Sequence, residues 1–298
     1  MSIQRIILQV LGYLLFGLVV YVVFVYLMFP YDLLRQRVVD RFSQGTVQVD
    51  IARMQPTLFP PGLSLQQVRV MANRPNMPEE VVTLQTFRAW PKWLSMLSEK
   101  KDVRFDGALY DGHISGEFHY AGVNGEPSWQ SEAQFEGLDV ARYPLLQQLQ
   151  SNDKLAVQGR LSGEATAKLN ARGQLEQGEI AFQLKPAVFA PGEAARLPLR
   201  KEIPCHTLKG EVMMTLRQWQ IDDLTCQGDD VFIDLRGTVR PRRPVENSVL
   251  NIRMELRSDQ AFKPELDLIR TLVRQRPSQD GALKFGLRGP LSRPRAVR

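Results

Sequence analysis

The pattern of apolar positions divides the chain into two parts. Residues 6–29 form one uncharged and almost wholly apolar run, with no formal charge between Arg5 and Asp32. After this run, apolar and polar residues alternate with a period of two over most of the chain. A long apolar run predicts a membrane-spanning helix, whereas alternation predicts strands with one apolar side. The pattern therefore predicts a membrane-anchored, mainly β protein.

The apolar run is long enough to cross a bilayer as a single helix. At about 1.5 Å per residue it would measure roughly 36 Å, and a hydrocarbon core is about 30 Å thick. Tyr31 follows the run directly, where membrane interfaces favour aromatic rings with polar tips. A cleaved signal peptide would have a shorter apolar stretch and a small-residue cleavage site, which this sequence lacks. We therefore expect residues 1–30 to be an uncleaved transmembrane anchor.

The charges beside the run bear on its orientation. Arg5 precedes it, and three arginines follow it before residue 42. Because positively charged flanks are retained in the cytoplasm, this count predicts a cytoplasmic large domain. The three arginines are interleaved with Asp32 and Asp40, however, on a segment with helical spacing. This interleaving weakens the charge count as an argument for a cytoplasmic domain.

Residues 31–298 are predicted to form one β-rich domain. Their alternation predicts roughly 14 strands, many of them separated by short links that contain glycine, proline or Asn-Gly. An amphipathic helix is predicted at residues 31–44. Shorter stretches of helical spacing interrupt the strands at residues 90–97, 140–149 and 264–276.

The apolar side of so many strands needs a cover that three short helices cannot supply. The sheet must either close as a sandwich or barrel, or curl into an open half-barrel or trough whose apolar lining meets another molecule. Roughly 14 strands at about 4.8 Å each would give a trough about 65 Å long, which suits phospholipid acyl chains. The predicted lining consists of Leu155, Val157, Leu161, Val231, Ile233, Leu235, Ile252, Met254, Phe285 and Leu287.

Charge and motifs argue against a nucleic-acid partner. The net charge is +6, and the basic residues are spread along the strands rather than clustered. The densest basic group, Arg240, Arg242 and Arg243, lies in a proline-interrupted turn. It is predicted to be a solvated loop, with contact to anionic lipid head groups as the alternative.

No arrangement of residues suggests catalysis, a metal or a cofactor. His113, Glu117 and His119 fall on one side of a predicted strand, but a gap of four residues spans about 13 Å, too far to ligate one ion without bending. These side chains are predicted to face solvent. Glycine-rich phosphate loops, nucleophile elbows and HExxH motifs are absent from the sequence. We therefore predict that the protein is not an enzyme.

Cys205 and Cys226 are the only cysteines in the chain. In an oxidising compartment they could form a disulfide with each other. In a reducing one they would be two buried thiols that behave as small apolar groups. The absence of CxxC disfavours a redox site or a zinc knuckle.

Five short stretches spread over nearly the whole chain form a recognisable series. They are FPYDLLR at residues 29–35, LFPPGL at 58–63 followed by Leu65 and Val68, AWPKWL at 89–94 before VRF at 103–105, GLDV at 137–140 with YPLL at 143–146, and GAL at 281–283 with Phe285, GPL at 289–291 and Pro294. In this order they resemble the type II secretion system protein N family (GspN), and the last stretch also resembles its AsmA-like envelope relatives.

This resemblance implies a single-pass inner-membrane protein with its β-rich domain in the periplasm. Its implied partners are the inner membrane, other type II secretion components and phospholipid acyl chains. A disulfide between Cys205 and Cys226 would agree with that compartment. The alternative function is an AsmA-like phospholipid-binding or lipid-transfer module that is not dedicated to secretion.

Overall fold

The computed structural model describes residues 3–43, 47–74, 77–95, 98, 101–123, 126–151, 155–170, 175–191, 202–229, 231–242, 247–258, 271, 282–290, 293 and 295–297. Within these residues the protein is mainly β. A single antiparallel sheet of fifteen strands follows two N-terminal helices.

The helices lie mostly where apolar spacing predicts them. The apolar run forms α1 (Ile3–Met28), and α2 (Tyr31–Phe42) follows it after Pro30. A 3₁₀ turn (Val140–Arg142) leads into α3 (Pro144–Ser151), within the stretch predicted to be helical. Over the described residues, no helix was found with the length and apolarity of a membrane span. That α1 crosses a membrane stays a prediction.

The strands are consecutive along the chain and mostly long. In order they are β1 (Val47–Leu58), β2 (Pro61–Arg74), β3 (Met77–Pro91), β4 (Lys101–Leu109), β5 (Gly112–Val123), β6 (Glu126–Asp139), β7 (Leu155–Leu169), β8 (Leu175–Pro191), β9 (Ile203–Cys205), β10 (Thr207–Thr215), β11 (Trp219–Gln227), β12 (Val231–Arg240), β13 (Val249–Ser258), β14 (Leu283–Pro290) and β15 (Arg295–Val297).

The sheet has the simplest antiparallel order. Fourteen strands pair with their neighbours in chain sequence, and the short β9 pairs with β8 beside β10. β1 and β15 are the two edges and do not pair with each other, so the sheet is open. The predicted curl into a half-barrel or trough was wrong, because the antiparallel sheet is uncurled. Alternation specifies which side chains share a side of the sheet but not how strongly the sheet bends.

One predicted helix is replaced by a strand end and a turn. Trp90 and Pro91 are the last residues of β3, where they pair with Arg104 and Val103 of β4. The helical spacing of the apolar residues did not reveal this pairing, which comes from a neighbouring strand. The other predicted helix, at residues 264–276, lies outside the described residues except for Thr271, which is helical.

α2 is fixed to the first strand by apolar packing and by an arginine. Leu34 and Val38 on one side of α2 pack against a cluster of buried residues that includes Ile51. Arg35 Nη1 donates hydrogen bonds to the carbonyl oxygens of Ile51 and Ala52, at 3.0 and 3.1 Å. The helix therefore folds together with the first strands of the sheet.

Candidate functional site

One side of the sheet carries apolar side chains on strands from β1 to β14, and we call this surface the apolar face. Directly opposite residues on neighbouring antiparallel strands share a side of the sheet. Such residues form one row across β1–β4 and a second row across β7–β14. An apolar cluster that contains Leu109, Leu138 and Leu161 connects the two rows. The first row consists of Ile51, Val68, Leu84 and Leu109, and the second consists of Leu161, Leu184, Leu208, Cys226, Ile233, Leu256 and Leu283.

The structure places nine of the ten predicted lining residues on this apolar face. Leu235, Met254 and Phe285 are directly opposite one another on three strands, as are Ile252 and Leu287 on two of them. Val231, Ile233 and Phe285 share an apolar cluster, and Val157, Leu161 and Ile233 share another. For the tenth residue, Leu155, the structure describes the backbone pairing with Pro191 but not the side chain.

The two cysteines form a disulfide on the apolar face. Cys205 ends β9 and Cys226 lies near the end of β11, with their Cα atoms 5.5 Å apart. Both are almost fully buried, in a cluster with Leu184 and Ala187. Cys205 is directly opposite Ala187 of β8, and Cys226 is directly opposite Leu208 of β10. The bond therefore ties the short β9 to the middle of the sheet.

Sequence analysis missed a set of phenylalanines that cover glycines in the central strands. A Cβ added to Gly163 would lie 2.8 Å from Cζ of Phe135, and one added to Gly210 would lie 2.6 Å from Cζ of Phe182. Each ring thus occupies the space that its partner's side chain would fill. Both residue types are visible in the alternation, but only the register shows that they pair. The opposite pairs are Phe87–Gly107, Phe105–Gly116, Phe135–Gly163 and Phe182–Gly210.

The other side of the sheet carries polar side chains, many of them in ion pairs. Glu117 on β5 forms ion pairs with Lys92 and, at 2.8 Å, with Arg104. The hydrogen bond from Lys92 is the main cause that holds the pKa of Glu117 below its usual value, and Arg104 adds to the effect against the opposing influence of burial. His119 Nδ1 lies 2.9 Å from Asp102 Oδ1.

The histidines that share a side of β5 with Glu117 are held in separate contacts. His113 Nε2 lies 2.9 Å from Asp106 and so belongs to a different pair from His119 and Glu117, which are 3.8 Å apart. Within the part of the chain that the structure describes, no group of histidine, cysteine and acidic side chains is arranged to hold a metal ion. The candidate functional site is the apolar face, because its apolar side chains extend over strands β1 to β14.

The apolar face begins beside the end of α1. The hydroxyl oxygen of Tyr26 lies 2.6 Å from the carbonyl oxygens of both Thr57 and Gly62 and accepts a hydrogen bond from Gly62 N–H at 3.0 Å. These contacts join the last turn of α1 to the turn between β1 and β2. Large apolar side chains of α1 are exposed all along the helix from Val10 to Phe24.

Comparison with known proteins leaves the family open. No family model, curated protein or solved structure matches the chain. Membership of the type II secretion system protein N family stays a prediction that rests on the short sequence stretches that resemble it.

Proposed function

We propose that this protein is a non-enzymatic, inner-membrane-anchored periplasmic component of the type II secretion system that binds phospholipid acyl chains on its apolar face. The observation that carries the proposal is the continuity of that face from β1 to β14. Among the described elements no second sheet covers it, and α2 packs only on its first strands, around Ile51 and Val68.

Much of the apolar face is itself buried, as Leu184 and Leu283 are. Leu235, Met254 and Phe285, in contrast, are partly exposed. Removing this remaining apolar surface from water is favourable, so an apolar partner that covers it stabilises the protein.

Acyl chains suit this surface better than a folded protein partner does. The apolar face offers rows of aliphatic and aromatic side chains, while the ion pairs lie on the opposite side of the sheet. A protein interface normally includes hydrogen-bonding groups within its contact area. A lipid tail needs only apolar contact and follows a row of side chains across successive strands.

The position of the apolar face next to α1 supports the bilayer as the source of the bound lipid. Its first strands are bonded through Tyr26 to α1, whose apolar side chains are exposed. We infer that α1 lies in the bilayer, because an isolated helix with so many exposed apolar side chains is stable in hydrocarbon and not in water. Acyl chains could then pass from the membrane onto the sheet without crossing open water.

The proposed role in type II secretion rests on the family resemblance. The alternative function is that of a lipid-transfer module with no dedicated role in secretion. Deleting the gene distinguishes them. Loss of secreted proteins from the medium with unchanged envelope lipids supports the role in secretion. Normal secretion with altered lipid distribution between the two membranes favours the alternative.

The test of lipid binding is native mass spectrometry of the full-length protein purified from membranes. Phospholipid should co-purify with the wild type. It should be lost from Leu235→Glu, because this substitution places a negative charge among the apolar side chains of the face. Thr238→Glu, on the polar side of the same strand, is the matched control and should retain lipid. Circular dichroism shows whether each variant keeps its strands. If Leu235→Glu unfolds, the milder Leu235→Asn replaces it, and unchanged lipid in a folded variant contradicts the proposal.

A further inference from the structure

A patch of exposed apolar side chains lies at the strand ends nearest α1. Leu58 ends β1 and Phe59 follows it in the turn to β2, with 51% and 95% of their surface exposed. Trp93 and Leu94 follow the end of β3, at 60% and 89% exposed. We call these four side chains the proximal rim. Side chains of this size are rarely left in water together unless they meet a partner.

The register of the sheet brings the two parts of the proximal rim to the same edge. Leu63 of β2 is directly opposite Ala89 of β3, so the start of β2 and the end of β3 coincide. A Cβ added to Gly62 would lie only 2.7 Å from Cβ of Trp90, which shows how closely the two strand ends approach. The turn that holds Phe59 and the turn that holds Trp93 therefore project from neighbouring strands at the same end.

The same strand ends are fixed to the C-terminal turn of α1. Tyr26 is two residues from the end of that helix, about 3 Å along its axis, and its hydroxyl bonds to the backbone on both sides of the Leu58–Phe59 turn. Phe29 and Tyr31 continue the aromatic group, with their ring centroids 5.2 Å apart. Aromatic rings gathered at the end of an apolar helix are typical of the membrane–water interface.

We propose that the proximal rim inserts into the leaflet at the C-terminal end of α1, as a second contact between the protein and the bilayer. The inference rests on the proposed function, since it requires that α1 lie in that bilayer. The partner is the lipid interface itself, because the rim is continuous with the anchor helix through Tyr26. Such a contact holds the first strands, and hence the start of the apolar face, at the membrane surface, where acyl chains can leave the leaflet.

The experiment measures the depth of single positions in the full-length protein reconstituted into vesicles. Phe59→Cys and Leu94→Cys each receive an environment-sensitive fluorophore, and the native cysteines do not react because they form a disulfide. The vesicles contain phosphatidylcholine with bromine near the head-group end of its acyl chains, which quenches only nearby probes. Gln158→Cys is the control, since Gln158 is exposed near the opposite strand end.

Strong bromine quenching at positions 59 and 94, with none at position 158, is the expected result. Equal and weak quenching at all three positions in protein that floats with the vesicles would overturn the rim contact while leaving the anchor intact. Protein that fails to float would overturn both, because α1 would then not lie in the bilayer. A probe at position 59 that is shielded from water but not quenched by bromine would point to a protein partner and would also overturn the proposal.

Discussion

At the scale of single residues, the central strands depend on phenylalanine rings that lie over glycines. Aromatic side chains can compensate for a glycine opposite them in a sheet by covering its exposed backbone. Phe135 does so for Gly163, and a Cβ added to Gly163 would also lie 2.2 Å from the carbonyl oxygen of Ala181. Backbone so close cannot yield as a flexible side chain would, so this position requires glycine.

We expect Gly163→Val to destabilise the protein, because its side chain must displace Phe135 and shift the backbone of β8. Overpacking of this kind costs on the order of 1–3 kcal/mol of unfolding free energy. Chemical denaturation followed by circular dichroism measures the change. Thr166→Val on the polar side of the same strand is the control, and equal stability of the two variants would contradict the assigned role of Gly163.

Glu117 gives a prediction about pH. Its pKa is lowered in the folded protein, mainly by the hydrogen bond from Lys92, so its ionised form stabilises the fold above the usual pKa of 4.5. That contribution is lost as the pH falls from about 4.5 through the lower folded-state pKa. Glu117→Gln should therefore reduce stability at neutral pH, by about 1 kcal/mol or less for a partly exposed pair.

The measurement is the difference in unfolding free energy between wild type and Glu117→Gln across a pH series. This difference should shrink as the pH becomes more acidic than 4.5. Glu136→Gln, at an exposed glutamate on β6, is the control. A difference that is constant with pH would show that the ion pairs of Glu117 do not stabilise the fold.

At the scale of secondary structure, apolar spacing predicted the long helices and the alternation but missed local competition between helix and strand. The apolar run that forms α1 is too long for a typical strand, and α2 has a clear apolar side. Trp90 and Trp93 are three residues apart and so matched a helix, yet Trp90 pairs with Arg104 in the sheet. A short apolar stretch cannot distinguish the two, because the choice depends on a distant strand.

The disulfide belongs to the same scale, since it fastens β9 to β11. The two cysteines are 21 residues apart, and closing a loop of this length stabilises a fold by about 3 kcal/mol in the chain-entropy model. We expect the double variant Cys205→Ala/Cys226→Ala to lose about that much unfolding free energy. A reducing agent should destabilise the wild type to a similar degree and leave the double variant unchanged. A wild type that is insensitive to reduction would contradict this role.

At the scale of the whole molecule, the sequence predicted which residues share a side of the sheet but not whether the sheet closes. Alternation at Leu235, Met254 and Phe285 is the same in a closed barrel and on an open sheet. What distinguishes these is the pairing of the edge strands, and here β1 and β15 remain unpaired with each other. The glycine–phenylalanine pairs were equally hidden, because they depend on the register between strands rather than on spacing within one strand.

Two opposing observations bear on the side of the membrane on which the sheet lies. The arginines after α1 favour a cytoplasmic domain, but Arg35 is committed to the backbone of β1 and so folds with the sheet. The disulfide favours an oxidising compartment, because cytoplasmic thiols are kept reduced. The buried disulfide requires an oxidising compartment, whereas a count of flanking charges only favours one orientation. We therefore predict that the sheet is periplasmic.

This orientation is tested by fusing reporters after residue 298 of the full-length chain. Alkaline phosphatase, which needs the periplasm to form its own disulfides, should be active, and β-galactosidase, which functions only in the cytoplasm, should be inactive. In the same cells, a thiol reagent should label Cys205 and Cys226 only after reduction. The opposite reporter pattern, together with labelling before reduction, would place the domain in the cytoplasm and would remove both the secretion role and the disulfide. Active phosphatase with reactive thiols would retain the orientation but remove the bond between β9 and β11.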